Sequence, residues 1–409
     1  MATVVFCPVT FNLAEVTRMI EVARALDPAH RVVFMGYEAG FAHLIADAGF
    51  EYRACEPAMS AAQREQLMRF DQGKTLRSPL TDDLVSARVD VERALLRETD
   101  AAAVVIGSNV TSMISARAEK VPLFYAVPFA LTSPQVEQTR RLGLVRGSGR
   151  IAHAADRVAT SLLRWAYNRA PLAPRAFARV ATANGVPPLK TVVSLLEADH
   201  NLLTVMSWEL RGYTLPAGYQ RVGPIFAHID APMPPIVAEL AARDQPLVYL
   251  GLGSSASREM VLAAASQLGT LPVDVVAPVR HYLQSGDVLP PNVHVTDLLP
   301  THLLGGLVDA AVLHGGQGTV QTACAAGIPF VGMGLQPEQV WNVDRCVAQG
   351  NALALSPKQA GTPALAAAVR RLLSDAGIRA AADRVRAEFA EEDGAAASAR
   401  VIEEALAAR

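Results

Sequence analysis

Residues 310–350 constrain the fold of this chain more than any other stretch. An apolar run, Ala310 to Leu313, reads as a buried strand, and His314 stands at its end. Gly315, Gly316, Gly318 and Thr319 follow, and a helix-like stretch runs from Val320 to Ala326. A second apolar run, Phe330 to Met333, returns as a strand. A glycine turn between a strand and a helix start aims backbone N–H groups and the positive end of the helix dipole at one spot, which makes an anion site. Glycine also lets the backbone approach a phosphate closely. The polar loop after the second strand brings Glu338, Gln339 and Asn342 toward the same sheet edge, the carboxylate and amide groups that a sugar needs.

The same alternation of short apolar runs and helical patterns recurs along the chain, the signature of βα units and a parallel sheet. In the first half, strands are predicted at Val4–Cys7, Arg31–Met35, Val104–Gly107, Leu123–Val127 and Leu202–Val205. In the second half they are predicted at Leu247–Leu252, Val273–Ala277, Val293–Val295, Ala310–Leu313 and Phe330–Met333. A helix is predicted over Leu13–Leu26, where Val16, Met19, Ile20, Ala23 and Leu26 share one face. Prolines cluster at 223–246, the best boundary. The predicted organisation is an N-terminal domain over 1–223, a linker over 224–244, a C-terminal domain over 245–390 and a final helix over 391–409. Extra helical segments at 56–80 and 140–200 exceed what a minimal doubly wound domain needs, and such insertions often line a substrate site.

A length of 409 residues favours two domains over one small core. The composition, 51% hydrophobic and 19% charged, is that of a globular protein rather than a disordered one. A net charge of −2 without a long basic run argues against nucleic acid as a partner. No run of about 18 apolar residues occurs, so no membrane span is expected. The first residues read as a strand rather than a signal peptide. Cys7, Cys55, Cys324 and Cys346 lack metal or disulfide spacing and are expected to be reduced, in the cytoplasm.

Residues 314–350 resemble the donor-binding signature of the family 1 nucleotide-sugar glycosyltransferases, HGGxGTxxExxxxGxPxxxxPxxxDQxxNAxxxxxxG. His314, Gly315, Gly316, Gly318, Thr319, Gly327, Pro329, Gln339, Asn342 and Gly350 match it, and Glu338 stands where the family has Asp. VYLGLGSS at 248–255 resembles the family's strand ending in a GS turn, and TDLLPTHLL at 296–304 resembles its nucleobase loop. AEVTRMIEVARAL at 14–26 aligns without a gap on the family's GHVxPxxxLARAL, and SMISARAEKVPL at 112–123 is similar to a segment of bacterial members. The resemblance implies an α/β fold with two doubly wound Rossmann-like domains facing across a cleft, the GT-B architecture.

It also implies roles. His314, Gly315, Gly316, Gly318, Thr319, Ser254 and Ser255 would hold the donor diphosphate. Glu338 and Gln339 would bind the donor sugar. Leu298, Leu299, Thr322 and Asn342 would meet the nucleoside, and Phe11, Asn12 and Phe129 the acceptor. Two departures stand out. Thr322 replaces the Glu that many members use on the ribose, which leaves UDP and dTDP both open. The family's catalytic His falls on Glu15, and the Gly before it on Ala14.

Glu15 has three readings. A carboxylate can act as general base if burial or a nearby negative charge raises its proton affinity. Asn12-Leu13-Ala14-Glu15 also reads as a capping box that closes a helix end. A hydrogen bond to substrate without proton transfer is the third. The expected function is inverting, metal-independent transfer of a hexose from a UDP- or dTDP-sugar to a small-molecule, natural-product acceptor, as in antibiotic biosynthesis. No DxD-type motif stands near the phosphate loop, and no cofactor is expected. A homodimer is left open. Two alternatives are a transferase for a lipid-linked or carbohydrate acceptor and a silent sugar-nucleotide-binding protein. The lipid-linked alternative calls for an exposed apolar-basic patch on the N-terminal domain, and the sequence does not display one.

Overall fold

A computed structural model describes residues 1–71, 75, 77–145, 149–228, 232–253 and 256–408. The chain forms two compact units, Met1–Ile225 with Asp393–Arg409, and Phe226–Glu392.

The strands of the first unit are β1 (Thr3–Cys7), β2 (Arg31–Gly36), β3 (Glu51–Ala54), β4 (Ala101–Ile106), β5 (Leu123–Val127), β6 (His200–Leu203) and β7 (Tyr219–Arg221). They form one parallel sheet in the order β3-β2-β1-β4-β5-β6-β7. Its helices are α1 (Leu13–Ala25), α2 (His43–Asp47), α3 (Ala61–Asp71), α4 (Asp82–Glu98), α5 (Ser112–Ala118), α6 (Ser133–Gln138), α7 (Arg150–Asn168) and α8 (Arg175–Ala183). Successive strand residues point to opposite faces. Val5, Cys7, Val104 and Ile106 therefore enter a core on one face, and Val4, Phe6, Ala103 and Val105 a core on the other. Both faces are covered, which is why these strands read as unbroken apolar runs. The last helix of the chain, Gly394–Ala407, buries Ala399 and Ile402 in the second of these cores, with Val16, Met19 and Ile20 of α1.

The second unit holds β8 (Leu247–Gly251), β9 (Asp274–Ala277), β10 (Val293–Val295), β11 (Ala310–Leu313), β12 (Phe330–Gly332) and β13 (Ala352–Ala354). They form a parallel sheet in the order β10-β9-β8-β11-β12-β13. Its helices are α9 (Pro235–Ala241), α10 (Arg258–Leu268), α11 (Gln317–Ala325), α12 (Pro337–Gln349), α13 (Pro363–Ser374) and α14 (Ala376–Ala390). The stretch 224–244 thus carries a helix, α9, which buries Val237 and Leu240. In each sheet two adjacent strands are followed by chain that leaves toward opposite edges. These are β1 and β4 in the first unit and β8 and β11 in the second. The carboxyl ends of such strands flank a crevice where doubly wound proteins bind ligands.

Candidate functional site

Each of these two switch points is spanned by one ionisable side chain. In the first unit it is Glu15, on the first turn of α1 and 5% exposed. Its Oε1 accepts from the backbone N–H of Val9, after β1, at 2.6 Å and from that of Ser108, after β4, at 3.0 Å. Asn12 caps α1, with its Oδ1 accepting the Glu15 N–H at 3.4 Å. The Asn12 N–H donates to the Val9 carbonyl and not to Glu15. Only half of the expected capping box therefore forms, because the Glu15 carboxylate ties two loops together instead. Gly107 makes this approach feasible: a Cβ there would lie 2.0 Å from Glu15 Oε1. Burial pushes the Glu15 carboxyl above the usual carboxylate range, and the N–H donors of Val9 and Ser108 pull against that shift.

A second buried carboxylate holds the same turn from behind. Glu92 on α4 is 1% exposed. It accepts from Tyr37 OH, Asn109 Nδ2, Thr111 Oγ1 and Ser115 Oγ. Arg88, one helical turn earlier, pairs with Glu38 at 3.0 Å and lies over the Tyr37 ring. Sequence reasoning missed this network. Its signal was present: Leu84, Val85, Arg88, Val89, Glu92, Leu95 and Leu96 follow helical spacing, so two charged residues share the apolar face.

At the second unit's switch point stands His314, 8% exposed at the end of β11. Its Nδ1 donates to the carbonyl of Gly251, at the end of β8, at 3.2 Å. A carbonyl only accepts, so this bond places the proton on Nδ1. Burial holds the ring's pKa below the usual histidine value, opposed by the Gly251 carbonyl. The ring is therefore neutral, with a lone pair on Nε2. That nitrogen sits against the turn: a Cβ at Gly316 would lie 2.4 Å from it. The Nε2 thus becomes a donor toward an anion only by taking up a proton, which a diphosphate's negative charge favours.

The turn itself is built for close approach. Gly315 has φ +89°, and a Cβ there would meet the Gln339 carbonyl at 2.7 Å. Gly316 is the N-cap of α11, and no side chain caps that helix. Its positive end is thereby left to an anion. Gly318 and Thr319 lie on its first turn. The Asn342 amide donates to the Gly315 carbonyl at 3.0 Å and to Glu338 Oε1 at 2.5 Å. Asn342 is buried, so it latches α12 to the turn rather than facing a nucleoside. Gln339 is also buried, and its Oε1 accepts from the Leu335 N–H. Half-buried Glu338 shares the first turn of α12 with Gln339.

The remaining expected residues divide. Leu298 is 60% exposed in the loop after β10, whereas Leu299 is a core residue at 1%. Thr322 spends its hydroxyl proton on the Gly318 carbonyl. Phe11 is half-buried and Asn12 exposed near Glu15. Phe129 is fully buried and packs edge-on against Tyr213, so it is core and does not offer its ring to an acceptor. Ser254 and Ser255 lie outside the described residues.

Comparisons with known proteins bear on the fold and the class of enzyme. Residues 261–404 match the family described as erythromycin biosynthesis protein CIII-like, C-terminal domain. A PGL/p-HBAD biosynthesis glycosyltransferase of Mycobacterium tuberculosis is 27% identical over 383 residues, 92% of this chain and 86% of the relative. The 4'-demethylrebeccamycin synthase of Lentzea aerocolonigenes is 31% identical over 204 residues, 49% of this chain and 48% of that protein. The solved structure of the glycosyltransferase VinC in complex with dTDP superposes with a TM-score of 0.70 at 20% identity, covering 99% of this chain and 100% of that one. The chain is a glycosyltransferase with the two Rossmann-like units of the GT-B fold. Within that class its similarities are to glycosyltransferases of glycolipid and natural-product biosynthesis.

Proposed function

We propose that this enzyme transfers a hexose, with inversion and without a metal ion, from a UDP- or dTDP-sugar to a small natural-product acceptor. The observation that carries the donor half is the uncapped start of α11 behind a positive-φ glycine, with His314 Nε2 against the same turn. The diphosphate sits at 314–319, and the sequence resemblance adds Ser254 and Ser255 to its contacts. Half-buried Glu338 faces the sugar hydroxyls, with Gln339 beside it on the first turn of α12, and Leu298 faces the base. The dTDP in the VinC structure supports a deoxyribonucleotide donor. Thr322 in place of a carboxylate supports the same choice, since dTDP has no 2′-hydroxyl to hold.

Glu15 is the proposed base. Burial raises its proton affinity, the direction that suits a group taking an acceptor's proton. Phe11 and Asn12 flank it on the acceptor side. The test measures nucleoside diphosphate release from UDP- and dTDP-sugars across an aromatic acceptor panel. Thermal shift with UDP and dTDP runs alongside, since a ligand that binds only the folded state raises its melting temperature. Donor binding with no release for any acceptor would overturn the transfer reading in favour of a silent binding protein.

A further inference from the structure

Helix α7 is built with its polar side inward. Asp156 is buried and accepts from the N–H groups of Gly143 and Val145 at 3.3 and 3.0 Å. Thr160 is fully buried and accepts from the Leu142 N–H at 3.0 Å. Arg164 donates to the carbonyls of Val136 and Thr139. Segment 131–145, which holds α6 and the chain after it, has backbone groups that need partners, and α7 supplies them. Its apolar side is left facing solvent. Ile151 is 87% exposed, Val158 61%, Leu162 62% and Trp165 56%. At 100° per residue these four fall within one narrow stripe, about 21 Å long at the helical rise.

The charge around this stripe is predominantly positive, with exposed Glu137 meeting Asn168 at its C-terminal end. Residues 140–175 carry eight arginines and a single acid, Asp156, in a chain whose net charge is −2. That acid is the buried one. Arg140, Arg141, Arg150, Arg157, Arg169 and Arg175 are exposed. Arg150 and Arg157 run along one flank of the stripe, and Arg169 closes its end. The apolar-basic patch that the sequence does not display is therefore present once the fold sets which face of α7 is outward.

We propose that α7 docks the first unit onto an anionic lipid surface, with the Ile151–Trp165 stripe in the headgroup boundary and the arginines on the phosphates. An exposed apolar stripe flanked mainly by arginine is the pattern of an interfacial helix. The unshared positive charge selects an anionic surface over a neutral one. This is attachment to a surface and not a membrane span; among the described residues no helix is long and apolar enough to cross. The proposal stands apart from the transfer reaction and is tested without substrates.

The full chain is floated with phosphatidylcholine vesicles with and without phosphatidylglycerol, at low and high salt. Binding to the anionic vesicles, weakened by salt, is the expected result. Trp165 emission moves to the blue on binding, and Trp165→Phe removes most of that change. Arg150→Glu with Arg157→Glu lowers partitioning by more than about tenfold, since each basic residue near an anionic surface is worth about fivefold. Leu162→Ser with Trp165→Ser abolishes it. All these positions are exposed, and circular dichroism checks the fold. Equal binding to neutral vesicles, or binding untouched by these variants, would overturn the proposal. So would absence of vesicle binding together with self-association, seen by sedimentation, that the same variants abolish; the stripe would then be covered by a second copy.

Discussion

Replacing Glu15 by glutamine and by alanine separates its chemistry from its architecture. Glutamine keeps an oxygen where Oε1 accepts from Val9 and Ser108. It loses the charge that strengthens both bonds, but it also loses the cost of burying that charge. The expected stability change is therefore small, about 1 kcal/mol. Alanine leaves the part-buried N–H groups of Val9 and Ser108 without this acceptor, each at the lower end of about 1–3 kcal/mol, so a loss of about 2–3 kcal/mol is expected. In a unit of this size that lowers Tm by on the order of 10 °C. Gly107→Ala drives a Cβ into the same carboxylate and destabilises comparably, but less so once Glu15→Ala has made room. If Glu15 is the base, Glu15→Gln loses about 10²–10⁴-fold in kcat despite its stability. The wild-type acid limb of kcat/KM then sits above the ordinary glutamate range, because burial raises this carboxyl. The stability sign is opposite. A raised folded pKa contributes stability that is present below the unfolded pKa and lost as pH rises through the folded one. The assays are nucleoside diphosphate release and urea unfolding on all variants. Full turnover in Glu15→Gln refutes the base. A Gln variant as unstable as the Ala variant refutes the loop tie.

Three further predictions follow from the same geometry. Gly315→Ala places a side chain at φ +89° and within 2.7 Å of the Gln339 carbonyl, so dTDP should no longer shift the melting temperature; a normal shift would remove the turn from the diphosphate site. His314, neutral when the site is empty, takes up a proton as the diphosphate binds, so calorimetry near pH 7 in buffers of different ionisation enthalpy should report proton uptake, absent in His314→Gln. In the free enzyme its lowered pKa contributes stability above the unfolded value of about 6.5, lost as pH falls through the folded pKa. Arg88→Ala strands Glu38 in a pair whose side chains are 5% and 6% exposed, at an expected cost of about 3–5 kcal/mol by urea unfolding; a change under about 1 kcal/mol would show that the Glu38–Arg88 pair does not hold the chain after β2 to α4.

The sequence by itself determined the central strands and the donor turn. Central parallel strands are buried on both faces, so β1, β4, β5, β8 and β11 are unbroken apolar runs. His314 and its glycines are chain neighbours, and their geometry is local. The edge strands β3, β7 and β13 escaped reading because they are short and partly exposed, as EYRA and YQR show, and lack an apolar signal.

What lay beyond the sequence was every relation between distant segments. Glu15 meets Ser108 across 93 positions, and Glu92 closes on Asn109, Thr111 and Ser115. Those pairings depend on β1 and β4 lying side by side, which no local pattern encodes. The same holds for α7. Its periodicity marks two unlike faces, and ordinary burial would turn the apolar one inward. Only the tertiary structure decided the reverse, because α6 and the chain after it, to residue 145, present backbone groups that Asp156, Thr160 and Arg164 must satisfy.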